Sequence, residues 1–493
     1  MSDLVRQMFT FHGAGRPWFD SILAADVEPL AVSVLSLLDR VGMTCPNADL
    51  LRAADRFGAR VNHETETVTF PPDVVRSFVE QTRREVAAPA ERSRDFRAPD
   101  PPGLQHQLAI YTYDYERREK RLGNRADFIQ LAKLAETLHP EHGAGHALIL
   151  SDVAAPVEPL EAALLLFQYS RHPAGVVVAD ARQIPYLQEI EDIAGISDPY
   201  WHWITNVSFA TPLRLSREAA ALLVALVTSG AYPAKVYNFG VSGANMPVTA
   251  AGSVALASAE VLALWMCCRA LRPNVSLEGG LIQIGSVDMR SGGVSWWAFD
   301  GIARSLAACQ FLSAWTGVSA SPGGGEYTPS RYPGSYVALE KAYRAMVIAA
   351  FTGDHPSVGC GHLEAGLTLS PVQLMLDREM TLALRHLERP VVDGESLALE
   401  AMLQVGHRSD LSYLETEHTL RHFRQVLWHP QLLSRNGWGG PQEEAQVLER
   451  AQQQVNDLLA RYCKPEYDLD KLSRMRAVVD RARTVMSSKE TTC

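Results

Sequence analysis

The chain has 493 residues, of which 47% are apolar and 21% charged, and its formal net charge is −10. That composition is globular with ample core material, and the length exceeds one simple domain, although an α/β barrel with additions absorbs most of it. The acidic balance argues against a nucleic-acid backbone or an anionic membrane as the main partner. It is compatible with a cationic ligand, but equally with an ordinary acidic enzyme. Seven cysteines without a CxxC pair fit a reducing cytoplasm, and the opening MSDLVRQMFTFHGAGRPW lacks the apolar centre of a signal peptide.

Helical periodicity starts at Val27–Val41. Asn47 is placed to cap a second helix reaching Phe57, which Gly58 ends. Arg60-Val61 and Thr67–Thr69 read as a small hairpin, and Pro71-Pro72 opens a third helix. The stretch from Val86 to Pro102, rich in Ala, Arg and Pro, reads as a linker.

From Leu104 onward, short apolar runs alternate with helical segments. The expected strands are Leu108–Tyr113, Ala147–Asp152, Gly175–Asp180, Trp203–Phe209, Ala234–Phe239, Val275–Ile284, Val318–Ser321 and Pro356–Cys360. The expected helices are Arg125–Thr137, Glu158–Ser170, Pro185–Gly195, Ser216–Ser229, Ala251–Leu271, Phe299–Trp315, Ser335–Thr352 and Pro371–Leu387. Eight strand–helix pairs predict a TIM (β/α)8 barrel. A doubly wound nucleotide-binding sheet is the rival, but Ser321-Pro322-Gly323-Gly324-Gly325 comes late and opens no helix. After Gly394 the chain turns polar and helical, with amphipathic helices at Glu443–Tyr462 and Asp468–Ser487. The expected regions are therefore 1–100, mainly helical with a hairpin; 101–393, the barrel; and 394–493, a helical extension. The apolar stretch Val254–Leu271 is interrupted by Ser258, Glu260 and Arg269, which argues against a membrane span.

Metal signals are weak. His142 and His146 stand four apart but enclose two glycines, and Cys360 and His362 make only a pair, so no metal is expected. No GxSxG elbow is present, and Cys267-Cys268 reads as core. The strand exits carry the chemistry. Tyr111, Tyr237, Asp288, Arg290, Trp296, Trp297, Arg331, Tyr332 and Glu364 are candidate substrate-binding residues, and Glu326, Tyr327 and His362 are candidate catalytic ones. Aromatic faces attract cations, and a quaternary ammonium, lacking an N–H, depends on that attraction. For any one indole, packing against helices is the commoner role, and at most one of the two tryptophans is expected to face a ligand.

The stretch FGVSGANMPVTAAGSVALASAEVLALW, followed by IGSVDMRSG, resembles the trimethylamine methyltransferase family. VGMTCPNADLLRAADRFGARVNHETETVTFPPDVV is similar to that family's amino-terminal segment, and GCGHLEAGLTLSPVQLMLDREM and ETEHTLRHFRQVLWHPQLLSR to its carboxyl-terminal pattern, so the likeness runs through nearly the whole chain. The resemblance implies a barrel that holds a methylated amine above the corrinoid cobalt of a separate carrier protein. It implies no tightly bound corrinoid here, because the chain lacks a DxHxxG motif. All positions are standard amino acids, so the likeness is to the branch without pyrrolysine, which includes enzymes for glycine betaine and related quaternary amines. Arg290 or Arg331 would then pair with a betaine carboxylate, with a partnership between Arg290 and Asp288 as the equal alternative. The loop Gly323–Ser335 and the tandem tryptophans depart from the family's pattern and put the substrate, not the fold, in question. A homo-oligomer in the cytoplasm is expected. The competing readings are a barrel enzyme acting on another onium methyl compound without corrinoid, and a non-catalytic quaternary-amine-binding protein.

Overall fold

Local chemistry decides most helix ends. In the computed structural model, which describes residues 23, 27–86, 98–104, 108–196, 207–229, 234–353, 355–388 and 398–487, the side chain of Asn47 accepts the Leu50 N–H at the start of helix Ala48–Phe57, and Gly58 closes it at φ 102°. Asn124 and Asp127 form a reciprocal capping box on helix Arg125–Leu138. Ser370 accepts the Gln373 N–H ahead of helix Pro371–Arg385. Arg60–Asn62 and Thr67–Thr69 form the expected antiparallel pair, extended by Met43–Thr44.

Among the described residues the strands form three small sheets, and none closes into a barrel. One is the amino-terminal three-stranded sheet. The second runs His362–Leu363, Thr368–Leu369, Tyr111–Asp114, Glu119–Leu122; the third runs Val207–Ser208, Ala234–Ser242, Leu277–Val287, Val294–Ser295. The expected TIM (β/α)8 barrel is therefore corrected to a mixed α/β arrangement. Ala147–Asp152, Gly175–Asp180, Val318–Ser321 and Pro356–Cys360 form no ladder. They are partly joined to neighbours by isolated bridges such as Ala109 to Leu148 and Leu281 to Ser321. Glycine, proline or small residues bound these runs, and a short apolar run cannot reveal whether a buried extended segment pairs along its length. Leu108–Tyr113 also differs: its end pairs antiparallel with Glu119–Leu122. The start of Trp203–Phe209, most of the linker and the junction near Gly394 lie outside the described residues.

Helix Ala250–Leu271 is the centre of packing. It packs against the amino-terminal helices and the strands Ala234–Ser242 and Leu277–Val287, and its buried residues run without a break from Ser253 to Cys268. Apolar character on all sides suits a fully enclosed helix. Among the described residues it is the one helix long and apolar enough to cross a membrane, and 83% of its most apolar window is buried inside the chain. Helix Pro441–Ala460 packs on Pro371–Arg385, and helix Leu469–Ser487 on Ile184–Ala194 and Glu158–Tyr169. The last contact is pinned by Glu161, whose side chain is fully buried and takes ion pairs from Arg125, Arg476 and Arg483 at 2.6, 2.7 and 3.2 Å.

Candidate functional site

The two longest strands build the floor. Ala234–Ser242 and Leu277–Val287 run parallel, with a register shift between Val236 and Asn238. Side chains alternate along a strand, so Val236, Asn238, Ile282 and Ile284 turn toward the core. The opposite face carries Tyr237 and Phe239, stacked at 6.2 Å and 9°, together with Gln283, which is the register partner of Phe239. The Trp296 ring lies against Gly285 on this same face; a Cβ at Gly285 would sit 3.0 Å from it. Burial, and then the charge of Glu278, raises the Tyr237 phenol pKa.

The loop after Ser321 closes over that face. Its glycines are required by contact. A Cβ on Gly323 would run into the Gln283 amide, one on Gly324 into the Glu326 carboxylate, and one on Gly325 would stand 2.5 Å from the Val358 carbonyl and 2.6 Å from that of Lys341. Arg344, only 2% exposed, staples the loop to the floor. Its Nε donates to the Gly324 carbonyl at 2.7 Å, Nη1 to Trp296 at 2.7 Å and Nη2 to Pro322 at 3.2 Å. Burial lowers this guanidinium's pKa, and the nearby Glu326 charge and Tyr327 oppose that. The guanidinium carbon lies 5.9 Å from the Tyr327 ring centre.

Glu326 Oε1 accepts the Gly324 N–H at 3.2 Å, while Oε2 is buried without a partner. Burial, then the Glu326 charge, raises the Tyr327 phenol pKa, and Cys360 and Tyr237 act in the same direction from nearby. His362 completes the inner group. Its Nδ1 lies 3.4 Å from Cys360 Sγ, and its Nε2 is buried without a partner. Burial and then Lys341 push this imidazole down to about 3. Behind it, Lys341 and Asp377 form a fully buried 2.6 Å ion pair, and Asp377 also accepts from Gly361 N–H and the Gln373 amide at 2.7 and 2.8 Å.

The other expected site residues fall elsewhere. Glu364 binds Lys120 at 2.6 Å and Thr368 at 2.5 Å, with Arg331 at 4.0 Å. Lys120 in turn lies 4.2 Å over the Tyr111 ring. Burial would raise the Glu364 pKa, but the Lys120 and Thr368 hydrogen bonds outweigh it and hold it low. Tyr332, 67% exposed, meets Tyr113 edge-on. These form an outer group on the second sheet. Asp288 is exposed in the hairpin between Leu277–Val287 and Val294–Ser295, accepting the Arg290 N–H at 3.0 Å and the Ser291 hydroxyl at 2.7 Å; it shapes a turn. Arg290 is exposed at that tip. Trp297 donates its indole N–H to the Glu340 carbonyl at 3.0 Å and packs on Phe299, so Trp296 alone of the pair joins the inner group. His146 is a buried structural residue, 3.0 Å from Glu158, and among the described residues no three His, Cys, Asp or Glu side chains converge as a metal set.

Sequence reading missed Phe239, Gln283, Arg344 and Cys360. The one signal for Gln283 was a polar residue interrupting the apolar run GGLIQIG. The arrangement as a whole is an aromatic floor with one unpaired carboxylate oxygen beside it, which suits an organic cation.

The family described as Trimethylamine methyltransferase (MTTB) matches residues 7–487. A glycine betaine methyltransferase of Desulfitobacterium hafniense is 22% identical over 94% of this chain and 97% of its own length. Trimethylamine methyltransferases of Methanosarcina mazei and Methanosarcina barkeri are each 26% identical over 55% of this chain and 54% of theirs. The chain thus spans about half the length of these archaeal relatives. With the family match running almost from end to end, the chain belongs to the trimethylamine methyltransferase family.

Proposed function

We propose that this chain is a methyltransferase that binds a quaternary amine over the Tyr237–Phe239 floor and delivers a methyl group to Co(I) of a separate corrinoid protein. The observation that carries the reading is the buried, unpartnered Glu326 Oε2, next in the chain to Tyr327, whose phenol lies near Tyr237, on the loop that Arg344 ties to the Trp296 backbone. A quaternary nitrogen offers no N–H, so it is held by ring faces and a carboxylate charge instead of by hydrogen bonds. Loss of a methyl to the Co(I) nucleophile that the carrier supplies leaves the nitrogen with its electron pair, as a neutral tertiary amine.

No proton has to move in that step, and the residues present fit that requirement. Tyr327 stays protonated because burial raises its pKa, and His362 stays neutral with a pKa lowered to about 3. Neither is poised as a general acid near neutral pH. Their part is to shape and dry the pocket, while Arg344 fixes the loop that carries Glu326. Orientation and electrostatics then supply the catalysis from this side. The working unit we infer is a homo-oligomer that docks the carrier at the mouth of the site.

The test is the cobalt spectrum of a reduced corrinoid carrier mixed with this chain and a panel of quaternary amines. Conversion of the Co(I) spectrum by at least one amine is expected. Turnover without any cobamide would replace the reading with a corrinoid-independent transfer, and binding without turnover on every carrier tried would leave a binding protein.

A further inference from the structure

Resting on the onium reading above, the geometry points to Gln283 as the residue that recognises the substrate's second polar group, and to that group being uncharged, a hydroxyl or an amide rather than a carboxylate. Gln283 is 1% exposed, and both its Oε1 and its Nε2 are without a partner. An unmade hydrogen bond in such a place is destabilising, so two on one side chain call for a partner that can give and take. The amide sits on the ligand face of the floor. Phe239 is beside it in register, the Trp296 ring lies two residues along the strand over Gly285, and Gly323 is left without a side chain where the amide passes.

The surrounding charges disfavour a carboxylate in that position. Arg344 gives three of its five N–H groups to backbone carbonyls, and its charge lies near that of Glu326. Lys341 is closed in its ion pair with Asp377, both fully buried. Arg331 is 80% exposed and lies beside Glu364, and Arg290 is at the exposed hairpin tip. A substrate carboxylate would therefore meet the Glu326 charge, while the buried cation nearby, Arg344, is already set against that same Glu326. At low effective dielectric two like charges close together repel strongly. A hydroxyl meets no such barrier: it donates to Gln283 Oε1 and accepts from Nε2.

Calorimetric titration of the purified chain with tetramethylammonium, choline and glycine betaine tests this. Choline is expected to bind at least about tenfold more tightly than either of the others, the value of one good hydrogen-bond pair. Gln283→Met should abolish that advantage, and its urea unfolding midpoint shows that the variant is folded. Glycine betaine binding as tightly as choline, or a choline advantage that survives Gln283→Met, overturns the inference and leaves the onium reading standing. No affinity for any of the three cations brings down the onium reading and this inference with it.

Discussion

At the scale of single residues, two carboxyl groups behave oppositely. Glu326 keeps one buried oxygen without a partner, with its charge near the Tyr327 phenol. Glu326→Gln retains the acceptor for the Gly324 N–H but removes the charge. Tetramethylammonium affinity should then fall on the order of tenfold to a hundredfold, read by calorimetry; unchanged affinity would remove Glu326 from the site. Glu260 lies on the core side of the same sheet and takes hydrogen bonds from Thr211, Leu213 N–H and Asn238. Burial nevertheless raises its pKa from the ordinary 4.5 to about 7. Asn238 Oδ1 has no partner, and a protonated Glu260 can donate to it once the amide is turned. A carboxyl with a raised folded pKa binds more protons folded than unfolded. Its contribution to stability is full below 4.5 and is lost as pH rises through about 7. Urea unfolding at pH 5 and pH 8 should show that loss, and Glu260→Gln should reduce it by on the order of 3 kcal/mol.

At the scale of elements, the triple glycine Gly323–Gly325 joins the site to its support. Gly325→Ala would force a methyl to within 2.5 Å of the Val358 carbonyl, where both flanking backbones resist displacement. We expect a destabilisation of about 2 kcal/mol or more, measured by urea midpoint, together with weakened cation binding because Glu326 moves with the loop. A neutral effect on both would show that the packing there is looser than described. The same loop shows what sequence can and cannot convey. The helix ends at Asn47 and Gly58 were legible because each rests on a local hydrogen bond or a local backbone conformation. The barrel was misread because strand pairing is a long-range property: Val318–Ser321 and Ala147–Asp152 are apolar and extended but meet neighbours only at isolated bridges. Tyr237, Trp296, Glu326, Tyr327 and His362 were legible by residue type at apparent strand exits. Gln283 and Arg344 were not, since one sits inside an apolar strand and the other in a helix whose sequence, AYRAM, reads as an ordinary surface.

At the scale of the whole molecule, one stretch is unfinished as a monomer. Between Ala398 and Trp438 the chain exposes Leu399, Leu403, Leu414, Leu420 and Trp438 at 59, 68, 84, 71 and 67%. Helix Glu417–Val426 buries none of its residues, although its leucine and phenylalanine fall on one side. Apolar surface of this extent on a stable protein marks a contact with another surface. The inner site lies on a different element, the face of Ala234–Ser242 and Leu277–Val287, so a second copy can cover this stretch without entering the pocket. We therefore expect the purified chain alone to sediment as an oligomer at micromolar concentration. Leu403→Glu with Leu420→Glu should shift it toward monomer, because each places a charge in a contact that must be dry. Tetramethylammonium affinity should survive the dissociation. A monomeric wild-type chain would mean that the surface is kept for a different partner, and sedimentation with and without the corrinoid carrier would then show whether the carrier takes it.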